Sequence, residues 1–111
     1  MYYELIKDKI RLDIKATAIR ELGAMQAAIL SYVYSKCKRY EENGVPVGNC
    51  IECRSEEIEQ ILGVSYKRQW RALNKLIDSG VLSVEHKQGS NVRFIAINYD
   101  KAQKYVIQRF V

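Results

Sequence analysis

The spacing of apolar residues divides the chain into stretches of helical and of alternating period. From Gly23 to Tyr40, GAMQAAILSYVYSKCKRY places Met25, Ala28, Ile29, Tyr32 and Val33 at three- and four-residue steps, which predicts an α-helix. Lys36, Lys38 and Arg39 fall near its C-terminal end, where the helix dipole favours cations. Before it, Asp13 to Leu22 reads as a short helix ending at Gly23, and Tyr2 to Ile10 as extended or helical. The helix must stop by Glu41-Glu42-Asn43-Gly44, and GVPVGN, with the only proline, Pro46, reads as an exposed loop.

Cys50 to Cys53 has the length of one strand. Ser55 is then placed to cap a helix with Glu56 and Glu57 in its first turn and Ile58, Ile61 and Leu62 on its apolar side. Gly63 can adopt the positive φ that ends it. Ser65 is placed to cap the next helix, Tyr66 to about Ser79, whose core stripe is Leu73, Leu76 and Ile77 and which Gly80 can end. Beyond Gly80 the period becomes two. Leu82, Val84 and His86 alternate with Ser83 and Glu85, and a second apolar run spans Val92 to Tyr99, with Lys87-Gln88-Gly89-Ser90-Asn91 as the hairpin loop between them. Asp100 with Gln103 forms a capping box for a final helix, 100 to 110, bearing Ala102, Tyr105 and Val106.

Length and composition narrow the class. The chain has 111 residues, 48% of them apolar, which suits one domain with one core, 1 to 111. No window approaches the ~20 apolar residues of a membrane span, and MYYELIKDKIRLD has charges where a signal peptide needs an apolar run, so a cytoplasmic protein is expected. Lysine and arginine total 18 against 13 for aspartate and glutamate, a net charge of +5. The distribution says more than the total. Glu52 to Glu59 holds four glutamates and one arginine, whereas Ser65 to Arg93 holds Lys67, Arg68, Arg71, Lys75, Lys87 and Arg93 against only Asp78 and Glu85. That segment favours a polyanionic partner.

Candidate chemistry is sparse. Cys50 and Cys53 have zinc-ligand spacing, and Cys37 and His86 would be needed to complete a tetrahedral site. If 50 to 53 is a strand, alternation turns the two thiols to opposite faces, so no metal and no other cofactor is expected. With three cysteines there is no disulfide framework either, which fits a reducing compartment. One histidine, no phosphate loop of the P-loop pattern and no Gly-x-Ser-x-Gly turn leave no catalytic constellation, and a non-enzyme without an evident small-molecule ligand is expected. His86 reads as a strand residue, Trp70 as packing, and Glu56, Glu57 and Glu59 as helix-start electrostatics. Tyr32, Tyr34 and Tyr40 read as core or subunit interface.

The order helix, short strand, helix, tight turn, helix, strand, loop, strand, helix resembles the winged helix-turn-helix family, mainly α with a small β hairpin. The residues that carry the resemblance are SEEIEQILGVSYKRQWRALNKLIDSGVLSV, Ser55 to Val84, followed by KQGSN and VRFIAI; the match covers residues 50 to 99, with helices in 13 to 40 and 100 to 110 on either side. One position departs from it. Family members usually have a branched apolar residue six positions after the turn glycine, and here Gln69 stands there with Trp70 beside it. Either the helix is rotated so that Trp70 packs, or the amide finds a partner, since an unpaired buried amide costs about 1 to 3 kcal/mol.

The resemblance implies double-stranded DNA as the partner, with helix 66 to 79 in the major groove. Ser65, Tyr66, Lys67, Arg68, Arg71 and Lys75 would then face the DNA. Arg68 and Arg71 suit guanine edges, while Lys67, Lys75 and Ser65 suit phosphates. Lys87, Gln88, Ser90, Asn91 and Arg93 of the wing would meet the adjacent backbone or minor groove. The first expectation is a sequence-specific transcriptional regulator acting as a homodimer. The second is a DNA-binding module of a replication initiator or organiser, since YYELIKDKI ahead of GAMQAAILSYV is similar to the layout of winged-helix domains in phage and plasmid replication proteins. The third is a winged-helix protein-interaction module without DNA contact, because folds host unrelated functions.

Overall fold

The computed structural model of the chain describes residues 12, 14–45, 50–86 and 92–106. The readings of Tyr2 to Ile10, the Pro46 loop, the hairpin loop and the stretch beyond 106 lie outside them. Among the described residues the helices are α1 (Ala16–Leu22), α2 (Ala24–Glu42), α3 (Ser55–Leu62), α4 (Tyr66–Ser79) and α5 (Tyr99–Ala102), and the strands are β1 (Cys50–Glu52), β2 (Leu82–His86) and β3 (Arg93–Ile97).

The long α2 lies at the centre. Its run of alanine, leucine and isoleucine favours helix, and α1, α3, α4 and β1 all pack against it. The buried surface is therefore wider than the predicted stripe. Ala27, Leu30 and Cys37 are fully buried as well as Ile29 and Val33, while Met25 and Ala28 are only half-buried. Tyr32 and Tyr34 face the core and Tyr40 is exposed.

The strands form one antiparallel sheet in the order β1-β3-β2. The predicted hairpin is present as β2 and β3, with Leu82 opposite Ile97 and His86 opposite Arg93. β1 adds to the far edge of β3, with Ile51 opposite Ile95, a pairing the sequence pattern does not reveal. Ile51, Leu82, Ile95 and Ile97 turn inward onto the helices and share one core with Leu73, Leu76 and Ile58.

Gly63 closes α3 with φ 71° and donates its N–H to the Glu59 carbonyl at 2.9 Å; Gly80 does the same for α4, with φ 81° and a bond to Ile77. Both adopt the left-handed conformation that a side chain disfavours. Two predicted helix starts differ. Ser55 is the first residue of α3 and buried, not its cap; Arg54 precedes it in extended conformation without a side-chain cap. The final helix is a single short turn capped by Asn98, whose side chain accepts the Lys101 N–H at 3.3 Å, rather than a helix capped by Asp100. Val106 then pairs with Ile14 as an isolated bridge, so helical geometry has ended by that residue; the rest of the expected helix lies outside the described residues.

Candidate nucleic-acid interface

The turn Gly63-Val64-Ser65 sets α4 against α3. Val64 is buried, and Ser65, with φ −63° and ψ 158°, accepts the Arg68 N–H in its side chain at 3.5 Å. The inner face of α4 is Gln69, Ala72, Leu73 and Leu76. Trp70 and Ile77 are half-buried at its margins, and Tyr66, Lys67, Arg68, Arg71, Asn74, Lys75 and Asp78 are exposed.

All six helix residues singled out from the sequence, Ser65, Tyr66, Lys67, Arg68, Arg71 and Lys75, are thus at the surface. Lys67, Arg71 and Lys75 recur every four residues and form one ridge, with Arg68 beside it. Among the described residues none of these four cations is in an ion pair. Asn74 also stands on this face, three residues from Arg71. Sequence reasoning passed over it, although a polar residue between the core positions Leu73 and Leu76 must point away from the core by helical period alone.

The strand residue Arg93 corrects the sequence reading. It was expected on the wing surface and is instead fully buried. Its parity explains this, since alternation along β3 puts Arg93 on the same face as Ile95 and Ile97 and leaves Phe94 exposed. Its guanidinium Nη2 donates to Gln69 Oε1, Nε is 3.5 Å from the Cys53 carbonyl, and among the described residues Nη1 has no hydrogen-bond partner. The other four wing residues, Lys87, Gln88, Ser90 and Asn91, lie outside the described residues.

The same contact settles the anomaly at Gln69. The amide is fully buried and satisfied on both sides: Nε2 donates to the Ser55 carbonyl at 3.0 Å and to the Val64 carbonyl at 2.8 Å, and Oε1 accepts from Arg93. Trp70 packs at the core margin. The Arg93 guanidinium carbon is 5.3 Å from its ring centroid, and the rings of His86 and Tyr66 meet it edge-on at 5.6 and 6.4 Å.

The three cysteines are free thiols. Cys37 and Cys53 are buried, whereas Cys50 is exposed. Burial pushes Cys37 up to about 11 and Cys53 up to about 12, so both are neutral thiols near pH 7. Among the described residues no group of three or more histidine, cysteine or acidic side chains could hold a metal ion, and no helix is long and apolar enough to cross a membrane. An open groove of about 420 Å³ lies between the end of α2 and β1. Its charges neutralise one another, Lys36 with Glu57 at 2.7 Å and Arg54 with Glu52 at 3.0 Å. No α4 residue lines it.

Comparison with protein-family models, with curated proteins and with solved structures finds no significant match. Function is accordingly argued from the residues.

Proposed function

We propose that the chain is a winged helix-turn-helix module that binds double-stranded DNA with α4 in the major groove. The observation that carries this reading is the ridge of Lys67, Arg71 and Lys75 with Arg68 beside it, exposed and, among the described residues, without ion pairs, on a helix whose other face is locked into the core. An α-helix fits the major groove, and cations left without internal partners are available to phosphates and to guanine edges. The order of elements supports the same reading, since β2 and β3 follow α4 directly as an antiparallel pair. The module serves as a regulator of transcription and acts inside the cell as a homodimer on two half-sites; replication initiation is the alternative use of the same surface. Arg68 and Arg71 read bases, Lys67 and Lys75 hold phosphates, and Ser65 with the start of α4 holds one more. Lys87, Gln88, Ser90 and Asn91 contact the adjacent backbone or minor groove. No catalytic step belongs to this function.

Fluorescence anisotropy with a labelled random duplex, titrated over a range of salt, tests the reading. Binding with a dissociation constant of roughly 10⁻⁴ to 10⁻⁶ M near physiological salt, tightening as salt falls, is expected. Lys75→Ala should weaken every sequence alike and reduce the salt slope by about one, whereas Arg71→Ala should relax base preference at one position of a selected site. No binding even at low ionic strength would exclude DNA contact and favour a protein partner.

A further inference from the structure

We propose that the buried Gln69–Arg93 bond sets the rotation of α4 about its axis, and with it which α4 side chains meet the bases. The inference rests on the DNA-binding reading above and assigns Gln69 and Arg93 as positioning residues that never touch DNA.

Three segments meet at the Gln69 amide. Ser55 opens α3, Val64 belongs to the turn, and Arg93 begins β3, and each makes a hydrogen bond to this one side chain of α4. An amide has donors on one side and an acceptor on the other in a fixed plane, so it is satisfied at one orientation. A leucine in its place would make contacts without direction and would tolerate a modest turn of the helix. Arg93 is fixed from its other sides as well, by the Cys53 carbonyl at 3.5 Å and by the Trp70 ring. Among the described residues no carboxylate is bonded to the buried guanidinium, and its Nη1 has no hydrogen-bond partner. Apolar replacements of buried ionic groups are often neutral or stabilising, and the best-attested role of such groups is to hold register.

The geometry of a helix makes this register matter. Side-chain ends lie about 5 to 6 Å from the axis, so a turn of about 20° moves them by roughly 2 Å. A productive polar constellation tolerates about 0.5 Å. Bidentate reading of a guanine by Arg68 or Arg71 would not survive that shift, whereas a lysine on a phosphate would follow it. The bond also joins α4 to the strand that leaves the wing loop, since His86 and Arg93 are the last paired residues before it.

The test compares the wild type with the Gln69→Leu/Arg93→Met double variant, which fills the space with apolar groups. Both are put through selection from a random duplex pool, salt-dependent binding to random duplex, and thermal unfolding. The double variant leaves the Ser55 and Val64 carbonyls without the Gln69 donor, so it is expected to unfold somewhat below the wild-type temperature but to stay folded at the assay temperature, and to bind random duplex within about twofold with the same salt slope. Its preference for the wild-type selected site over random duplex should fall at least tenfold. A merely structural role would not lower that ratio in a protein that is fully folded at the assay temperature and binds random duplex normally. Retention of the wild-type site and ratio overturns the proposal. If the double variant does not fold, Arg93→Lys, which keeps the charge but loses the fork, should lower the ratio at least threefold, and an unchanged ratio overturns the proposal. A wild type that binds random duplex but enriches no site overturns the positioning role alone. One that binds no duplex at low salt removes the DNA-binding reading and the inference with it.

Discussion

The hydroxyl of Tyr32 donates to the carboxylate of Glu57, and the Lys36 ammonium lies 2.7 Å from the same carboxylate. A phenol and a cation on α2 thereby hold the first turn of α3. Glu57, read from sequence as a favourable charge at a helix start, also ties two helices together. Glu57→Ala would leave the buried Tyr32 hydroxyl without this acceptor and should destabilise by about 1 to 3 kcal/mol, whereas Tyr32→Phe, which removes the donor as well, should cost about 1 kcal/mol. Urea unfolding of the two variants measures the difference, and equal effects would mean the hydroxyl is not dependent on Glu57.

Stability should decline on the alkaline side. Burial first, then the bond to Glu57, pushes the Tyr32 phenol above its ordinary 10, and burial pushes Cys37 up to about 11 and Cys53 up to about 12 from 9. In the unfolded chain these groups lose their protons near the ordinary values, while in the folded chain they keep them. The unfolded state therefore binds fewer protons above pH 9, and stability falls as pH rises. The contribution of Cys37 is present below pH 9 and lost by about 11, and that of Cys53 is lost by about 12. Urea midpoints under reductant at pH 8, 9, 10 and 11 should decrease stepwise, and a midpoint constant from pH 8 to 10.5 would contradict the assignment.

The thiols should separate by reactivity. Cys50 is exposed while Cys37 and Cys53 have no accessible surface. An aromatic disulfide reagent at pH 8 should titrate one thiol per chain promptly and all three only in denaturant. Prompt reaction of two or three in the native protein would show that the core around Cys37 or Cys53 opens readily.

Gly63→Ala isolates a backbone effect. A methyl group there would meet no atom within 4 Å, so the whole cost comes from forcing a side chain into φ 71°. A loss of about 1 to 2 kcal/mol is expected. Asn74→Ala, on the exposed face of α4, should change stability by less than about 0.5 kcal/mol. Chemical denaturation of the pair makes the comparison, and a neutral Gly63→Ala would mean the turn can reshape.

The elements that were legible in sequence are those whose information is local. Repeats of three and four residues locate α2 and α4, Gly63 and Gly80 end two helices through their own backbone freedom, and Ser65 caps α4 as its place suggests. The outward face of α4 follows from the inward one. What was missed depends on partners far along the chain. Gln69 was visible as an oddity, but its acceptor and donor groups at Ser55 and Arg93 become neighbours only in the fold. Arg93 was assigned by its charge to the wing, against the parity it shares with Ile95 and Ile97. A cation at a core position and an amide at another were each other's solution. β1 is three residues long, too short to announce the strand it joins, and Asn98 rather than Asp100 starts α5 because an offset of two residues decides which side chain reaches back to a free N–H.

β3 is bonded to β1 on one edge and to β2 on the other, and α3 and α4 lie in the chain between β1 and β3. The two helices thus form a closed loop whose ends are fastened side by side, Ile51 against Ile95. Peeling the cationic helix away by itself would break its core contacts while the ends of the loop stay tied, so the chain would gain only part of the freedom that release should bring. Opening is therefore expected to be collective, with sheet and helices exchanging their amide protons as one unit rather than in sequence.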